Sequence, residues 1–370
     1  MAITTPMIWR GRRGTPLRES LADALDEGLR RSPFWLRRTA PAARFVGDLA
    51  LRERYLTGRR FTNAIAAWMA PNRGHAMYDT WLGYALSTNV RGAEVVRRLG
   101  AHKPLAGARA LDVGCAYGGS SVAFAEAGGE AVGIDVDPNL LGFAALNVAD
   151  KRARVTLANV DVTDGHRMRE LGRFDFITCS DVIEHVRDVP ATLANLAAAL
   201  NPGGLLHLQI PNGRAAALVL ADGHFGAFAI TLLERDDALR YFAEKRFGAA
   251  YDVFSYLTLE RYPEMLARDG VRPVGDAVQN APVDGEAAIA RVAGMLGDIE
   301  QRIEHASIDP GISPATRAAL QRAVRDYLCE VRAALVRVHG ADRRAPNDTP
   351  RTFVQTYGID CWDLIAFKTD

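Results

Sequence analysis

The chain has 370 residues, 48% of them hydrophobic and 24% charged, which is the composition of an ordinary globular protein with a sizeable core. A formal net charge of +1 argues against a dedicated nucleic-acid binder, because such proteins carry a strong basic excess. No apolar run is long enough to cross a bilayer, and the first residues lack the apolar segment of a secretory signal.

Residues 1–105 predict a region of helices and loops, since no stretch alternates apolar and polar residues as a strand does. Residues 1–60 hold thirteen Arg and six Asp or Glu, and we interpret this cationic arm as a solvated helical surface, with a phosphate or membrane contact as the alternative. Aromatic side chains then recur at helical spacing at Tyr78, Trp81 and Tyr84. They form either packed core or the wall of a binding site.

Residues 106–281 alternate short apolar runs with helical patterns. The predicted strands are Ala108–Val113, Ala131–Asp135, Arg154–Ala158, Phe174–Cys179 and Leu205–Ile210. The predicted helices between them are Ser121–Ala127, Asn139–Val148 and Val189–Leu200. This spacing predicts βαβ units and a parallel sheet whose strands present their carboxyl ends at one edge, where ligands bind.

The last part of the chain adds a helix near Leu257–Ala267 and strands at Val271–Val278 and Cys361–Phe367, the last within residues 351–370. Residues 282–350 hold two amphipathic patterns separated by Asp309-Pro310-Gly311, which predicts an antiparallel helical hairpin. Either the domain or a second subunit covers its apolar stripe, so a homodimer is one alternative. Residues 213–256, rich in Phe, Leu and Ala, are the predicted lid.

A turn of small residues follows the first predicted strand. Gly114, Ala116 and Gly118 let backbone N–H groups approach a ligand closely, and Asp135 at the end of the next strand can accept both hydroxyls of a ribose. Strand, turn, helix, strand and acid together predict a nucleoside site. The glycine spacing differs from the one that binds a dinucleotide pyrophosphate, which disfavours an NAD-dependent oxidoreductase.

This pattern, with Asp112 before it, resembles motif I of the Rossmann-like (class I) S-adenosylmethionine-dependent methyltransferases, and the similarity covers residues 108–211 and the final strands. The resemblance implies an α/β fold with a doubly wound, seven-stranded, mostly parallel sheet whose last strand is antiparallel. It also implies S-adenosyl-L-methionine as cofactor, with Asp135 on the ribose, Val136 on the adenine ring and Asp161 at the adenine amino group. The cofactor-binding residues that it implies are Asp112, Gly114, Ala116, Gly118, Asp135, Val136, Asp161, Val162 and Ser180. Ala116 and Tyr117 depart from the family's usual glycine and small residue.

A second constellation follows the fourth predicted strand. Asp181, Glu184 and His185 are spaced to share one helical turn, and His224 comes later in the chain. The set resembles quinone-pathway O-methyltransferases and small-RNA 3′-end 2′-O-methyltransferases, and in the latter a later His completes a divalent-metal site. The resemblance implies that these four residues bind Mg²⁺ or a similar ion. The alternatives are His185 or His224 as a metal-free catalytic base, or a structural role.

Three functions stay open at this point. We predict O-methylation of a small-molecule or glycan acceptor; RNA 2′-O-methylation with the metal and a non-catalytic nucleoside-binding scaffold are the alternatives. The net charge and the apolar lid argue against nucleic acid as a partner. Asn89 and Arg91 resemble an Asn and Arg element of the quinone-pathway enzymes. Three roles are open for them here: closing over the methionine end of the cofactor, contacting an anionic acceptor, or capping a helix with a surface Arg. Four cysteines without CxxC spacing predict a cytoplasmic protein without a zinc site.

Overall fold

A computed structural model describes residues 56–247, 250–275, 278–282, 284–340 and 350–369. Most of the cationic arm, residues 1–55, lies outside the described residues. Across the described ranges, no helix has the length and apolar character needed to cross a membrane.

From residue 56 onward, three helices precede the sheet: α1 (Arg59–Met69), α2 (Tyr78–Leu86) and α3 (Thr88–Gly100), with a 3₁₀ turn at Ala70–Asn72 after α1. Helix α1 buries Phe61, Ile65 and Met69, which share one face because they are four residues apart.

The sheet has seven strands: β1 (Arg109–Val113), β2 (Glu130–Asp135), β3 (Val155–Asn159), β4 (Phe174–Ser180), β5 (Leu200–Pro211), β6 (Val271–Pro273) and β7 (Cys361–Lys368). Their order is β3-β2-β1-β4-β5-β7-β6, and β7 runs antiparallel to both of its neighbours. The remaining neighbours pair in parallel. The predicted fold class is confirmed. The strand order reverses between β1 and β4, which is where ligands bind in such sheets.

The crossover helices are α4 (Gly119–Glu126), α5 (Pro138–Lys151), α6 (Gly165–Glu170) and α7 (Val189–Ala199). An aspartate caps the start of each of α5, α6 and α7, because its carboxylate accepts a backbone N–H of the first turn; these aspartates are Asp137, Asp164 and Asp188. Helix α3 packs closely on α4, since a Cβ on Gly92 would lie 2.2 Å from the backbone of Gly119.

The later helices are α8 (Ala216–Leu220), α9 (Arg235–Lys245), α10 (Arg261–Arg268), α11 (Gly285–Ser307), α12 (Pro314–His339) and α13 (Pro350–Phe353). Short turns of other helix types lie at Ile183–His185, Ile230–Leu232 and Val354–Gly358.

Helices α11 and α12 form the predicted hairpin, and their apolar stripe is buried within the chain itself. Val292, Ile299, Val324 and Val331 all belong to the main hydrophobic core, which also contains the side chains of the sheet. The domain therefore covers the stripe, and burial of these side chains needs no second subunit.

The strand predicted over Val271–Val278 is wrong at Val274 and Gly275, because β6 ends at Pro273; residues 276–277 lie outside the described residues. Gly275 adopts a φ of +60°, a left-handed conformation that turns the backbone out of the extended form. The neighbouring residues still contact β7, because the Val274 N–H donates to the carbonyl of Ile365 at 2.8 Å.

Candidate active site

The turn between β1 and α4 has an alternating left-handed backbone. Gly114, Ala116 and Gly118 have φ values of +63°, +45° and +75°. A Cβ on Gly114 would lie 2.3 Å from Cγ2 of Val182, so this position requires glycine for space as well as for conformation. The small residues found in the sequence therefore match a backbone that bulkier residues would strain.

Two buried carboxylates bond to this turn and to the helix that follows it. Oδ2 of Asp112 accepts hydrogen bonds from the Ser121 N–H at 2.9 Å and the Ser121 hydroxyl at 2.7 Å, and burial raises the pKa of Asp112 to about 6. Oδ2 of Asp135 accepts from the Ala116 N–H at 2.9 Å, and its Oδ1 accepts from the Asp137 N–H at 2.9 Å. Burial also raises the pKa of Asp135 above its ordinary value. Asp112 thus orders the start of α4, and Asp135 joins β2 to the turn.

The remaining predicted cofactor residues lie along the carboxyl ends of β2, β3 and β4. The Val136 side chain is 62% exposed, which is unusual for a large apolar residue. Val162 is buried, while Asp161 is exposed and its Oδ1 accepts from the N–H and hydroxyl of Thr163. The Ser180 hydroxyl lies 3.4 Å from that of Thr178. Their roles toward a cofactor stay predictions.

Glu184, His185 and His224 come together beside this edge, with ligand atoms all within 4.8 Å of one another. Oε1 of Glu184 lies 3.6 Å from Nε2 of His185 and 3.6 Å from Nε2 of His224. Glu184 is 1% exposed, and neither of its carboxylate oxygens has a hydrogen-bond partner among the described residues. A buried carboxylate without hydrogen-bond donors is costly in free energy unless a cation lies beside it.

The loop that carries His224 is built around the buried carboxylate of Asp222. This carboxylate accepts backbone N–H groups of His224 at 2.9 Å and Ala227 at 2.7 Å, and its Oδ2 lies 3.5 Å from Nδ1 of His224. Burial lowers the pKa of His224, but Asp222 and Glu184 outweigh this effect and raise it to about 10. Protonated His224 therefore balances the charge of Glu184 when no other cation is bound.

Asp181 does not share a helical turn with Glu184 and His185, and that prediction is wrong. The 3₁₀ turn begins at Ile183, and Asp181 precedes it with a left-handed φ of +55°. Oδ2 of Asp181 accepts from the Tyr84 hydroxyl at 3.0 Å. Asp181 therefore contacts Tyr84 and is not among the residues whose ligand atoms lie within 4.8 Å of one another.

The N-terminal helices contribute contacts that the sequence did not reveal. Nε1 of Trp81 donates to the carbonyl of His224 at 3.0 Å, so α2 contacts the His224 loop as well as Asp181. Asn89 is buried and pairs with Asn147, which also donates to the carbonyl of Tyr117 at 2.9 Å. These contacts join residues 30 to 143 positions apart. No local spacing indicates them. For Asp222, the Asp-Gly-His-Phe-Gly turn was an available signal.

A family model described as a methyltransferase domain matches residues 88–274. This range covers half of the chain, from the start of α3 through the sheet edge and the His224 loop. The chain belongs to this methyltransferase family.

The curated relatives of this methyltransferase are similar over a shorter range. It is 38% identical over 117 residues to the ubiquinone biosynthesis O-methyltransferase of Xanthomonas oryzae pv. oryzae, which is 32% of this chain and 48% of that protein. The chain thus spans about half the length of the curated relatives it matches.

Two solved structures are also similar. One is a putative sarcosine dimethylglycine methyltransferase from Galdieria sulphuraria, with a TM-score of 0.39, 14% identity and coverage of 77% of this chain and 85% of that one. The other is magnesium protoporphyrin IX methyltransferase from Synechocystis PCC 6803 with bound SAH, with a TM-score of 0.39, 17% identity and coverage of 53% and 80%.

Proposed function

We propose that this protein is an S-adenosylmethionine-dependent methyltransferase that methylates a hydroxyl of a small molecule or glycan. The observation that carries the proposal is the position of Asp135, whose carboxylate lies at the carboxyl end of β2 and accepts the Ala116 N–H of the small-residue turn at 2.9 Å. The family match includes this turn. The O-methyltransferase relatives support oxygen as the acceptor atom.

The residues at this edge fit the cofactor. Each Asp135 oxygen accepts one backbone N–H in the described structure and has a second lone pair for a ribose hydroxyl. Val136 offers an exposed apolar side chain to the adenine ring. When bound, the cofactor supplies an activated methyl group on a sulfonium, so the protein's task is alignment, proton removal and exclusion of water.

The environment of Arg91 supports the proposal that the methionine moiety of the cofactor lies beside this turn. Its guanidinium carbon lies 3.5 Å from the centroid of the Tyr84 ring, and its Nη2 donates to the Tyr84 carbonyl at 3.1 Å. Its Nε is buried without a hydrogen-bond partner among the residues that the structure describes. A cation held beside the turn suits the carboxylate of the cofactor's methionine moiety.

Glu184, His185 and His224 are the residues that we propose for the acceptor side. Alignment of two reactants contributes about 7–11 kcal/mol and a general base a factor of about 10²–10⁴, so both tasks matter. Both distances from Glu184 suit a divalent ion, since two ligands of one tetrahedral ion with bonds of about 2.1 Å lie about 3.4 Å apart, close to the 3.6 Å found from Oε1 to each histidine. Such an ion would orient an acceptor hydroxyl and lower its pKa.

The proposed metal site is tested on chelator-treated protein by calorimetric titration with Mg²⁺, Mn²⁺ and Zn²⁺ separately. We expect one of them to bind and Glu184→Gln to weaken its binding at least tenfold, because the substitution removes the buried charge. Glu126→Gln is the matched control, since Glu126 is exposed on α4. The absence of binding, together with full activity in EDTA, would contradict the metal site.

The activity itself is tested by incubating the protein with methyl-labelled S-adenosylmethionine and fractionated bacterial metabolites. We expect label in a small molecule, attached to oxygen, and its loss in the Asp135→Asn variant. Transfer to an RNA fraction would instead favour the nucleic-acid alternative. Cofactor binding without transfer to any fraction would favour a non-catalytic protein.

We also propose a division of the chain in which residues 1–105 form a helical cap, 106–281 the cofactor domain with a lid at 213–256, 282–350 the hairpin insertion and 351–370 the last strand. A cytoplasmic location agrees with four cysteines that are free in the structure.

A further inference from the structure

Two arginines from different elements stack on one aromatic ring beside the candidate active site. The guanidinium carbon of Arg187 lies 4.5 Å from the centroid of the Phe254 ring, and that of Arg235 lies 3.9 Å from it. Arg187 follows the 3₁₀ turn that carries Glu184, whereas Arg235 is the first residue of α9. The chain thus brings two cations to one ring from distant positions in the sequence.

The backbone around Phe254 is bonded directly to the candidate active site. The Phe254 N–H donates to the carbonyl of Glu184 at 2.7 Å, and the Asp252 carbonyl lies 3.3 Å from Nδ1 of His185. The side chains of His185 and His224 are 27% and 23% exposed, against 1% for Glu184, so the cluster meets solvent through its two histidines. The Phe254 backbone thus links the ring that carries the two arginines to the Glu184 turn.

Neither arginine has a carboxylate partner within 4.0 Å in the part of the chain that the structure describes, although acids are close in sequence. Asp188 caps α7 by accepting the Ala191 N–H, and Asp252 lies 3.6 Å from Nδ1 of His185. Asp237 pairs with Arg240. Glu234 and Asp236, which flank Arg235, are exposed and do not pair with it in the described structure. Both guanidinium groups can therefore still bind an anion.

We propose that Arg187 and Arg235 bind an anionic group of the acceptor, a carboxylate or a phosphate. Guanidinium groups present planar arrays of N–H donors that match both anions, and stacking on Phe254 fixes the planes before a ligand arrives. Arg235 uses one Nη1 bond on the Val253 carbonyl and keeps its other donors. The inference rests on the proposed function, because it places the acceptor hydroxyl at Glu184 and His185 and its anionic end at the arginine pair.

The test is calorimetric titration of the full chain, saturated with S-adenosylhomocysteine, with inorganic phosphate and separately with acetate at low ionic strength. We expect saturable binding of at least one anion, and about tenfold weaker binding in each of Arg187→Gln and Arg235→Gln, because each substitution removes charge-assisted hydrogen bonds. Tighter phosphate binding supports a phosphorylated acceptor, and tighter acetate binding a carboxylated one.

Arg268→Gln is the matched control, because Arg268 is exposed on α10. This substitution is expected to leave both titrations unchanged. Thermal unfolding of each variant checks that it folds. If Arg235→Gln does not fold, the titration of Arg187→Gln alone decides the result. Equal binding by the wild type and Arg187→Gln, or no saturable binding by the wild type, overturns the proposal. The affinity for S-adenosylhomocysteine, measured on the same samples, separates this failure from a failure of the proposed function.

Discussion

At the scale of single residues, Gly114 meets two requirements at once. Its φ of +63° is costly for a residue with a Cβ, and that Cβ would lie 2.3 Å from Val182. Gly107 offers a comparison, since it has a φ of +75° and open space around the position of a Cβ. Conformational strain and steric overlap can therefore be separated within this chain.

We predict that Gly107→Ala costs about 1–2 kcal/mol of unfolding free energy, from the left-handed backbone alone. Gly114→Ala should cost about 1–3 kcal/mol more, because its methyl group also overpacks against Val182. Urea denaturation of both variants measures the difference. Equal costs would show that the turn tolerates a side chain at position 114.

The residues that sequence reasoning found and those that it missed differ in the range of their contacts. The structure brings the Gly114 turn and Asp135 together at the ends of two adjacent strands. This contact was predictable because the βαβ unit that produces it is a local sequence pattern. Tyr84 meets Asp181 only because α2 folds back onto the sheet edge, a contact between residues 97 positions apart. The side-chain partner of Asp181 depends on this packing, so its position relative to Glu184 was not predictable from spacing.

At the scale of elements, a polar network with a buried centre joins α3, β4, β5 and β7. Nε2 of His207 lies 3.2 Å from Oδ1 of Asp363, and Nδ1 of the same ring lies 3.1 Å from the Thr178 hydroxyl. Arg98 of α3 pairs with the other oxygen of Asp363. His207 is 0% and Asp363 is 3% exposed, so the network supplies the hydrogen-bond partners that water cannot supply to these buried groups.

We predict that Asp363→Ala costs about 1–3 kcal/mol of unfolding free energy at pH 7, because it leaves the buried His207 ring without its carboxylate, whereas Arg98 keeps Glu94 as a partner. Asp298→Ala, at an exposed position of α11, is the control and should be within about 0.5 kcal/mol of the wild type. Denaturant titration followed by circular dichroism measures both. A cost for Asp363→Ala near that of the control would mean that the network contributes little.

The same network predicts a dependence of stability on pH. Burial raises the pKa of Asp363, but the hydrogen bond from His207 and the charge of Arg98 outweigh it and hold the pKa below its ordinary value. A carboxyl group with a lowered folded-state pKa stabilises the fold above its unfolded pKa of about 3.9 and loses this contribution as the pH falls through the folded value. The gap in unfolding free energy between wild type and Asp363→Ala should therefore narrow below about pH 4. A gap that stays constant from pH 7 to pH 3 would contradict the assignment.

At the scale of the whole molecule, the helical hairpin is part of the core and also contacts α9. Nζ of Lys245 lies 2.7 Å from Oδ2 of Asp309 in the hairpin turn, and the Ser313 N–H donates to Glu244 at 3.0 Å. Periodicity predicted both helices, because amphipathic spacing is a local property. It did not predict what covers them, because that depends on where the hairpin folds back.

Because the stripe is covered internally, a charge placed on it should unfold the monomer. We predict that Val324→Asp costs about 4 kcal/mol or more, since Val324 is fully buried, whereas Val336→Asp should have little effect because Val336 is 72% exposed. Unfolding free energies measured over a range of protein concentrations test this. A loss of stability that depends on concentration would point instead to a dimer interface on the hairpin.

The central claim is that the edge formed by the β1 turn and Asp135 binds S-adenosylmethionine, and calorimetric titration of the full chain with this cofactor tests it most directly. We predict one site per chain and at least tenfold weaker binding by Asp135→Asn, because the substitution removes a charged acceptor for the ribose hydroxyls. Asp298→Asn should bind as the wild type does. No binding by the wild type, or equal binding by Asp135→Asn, would contradict the account.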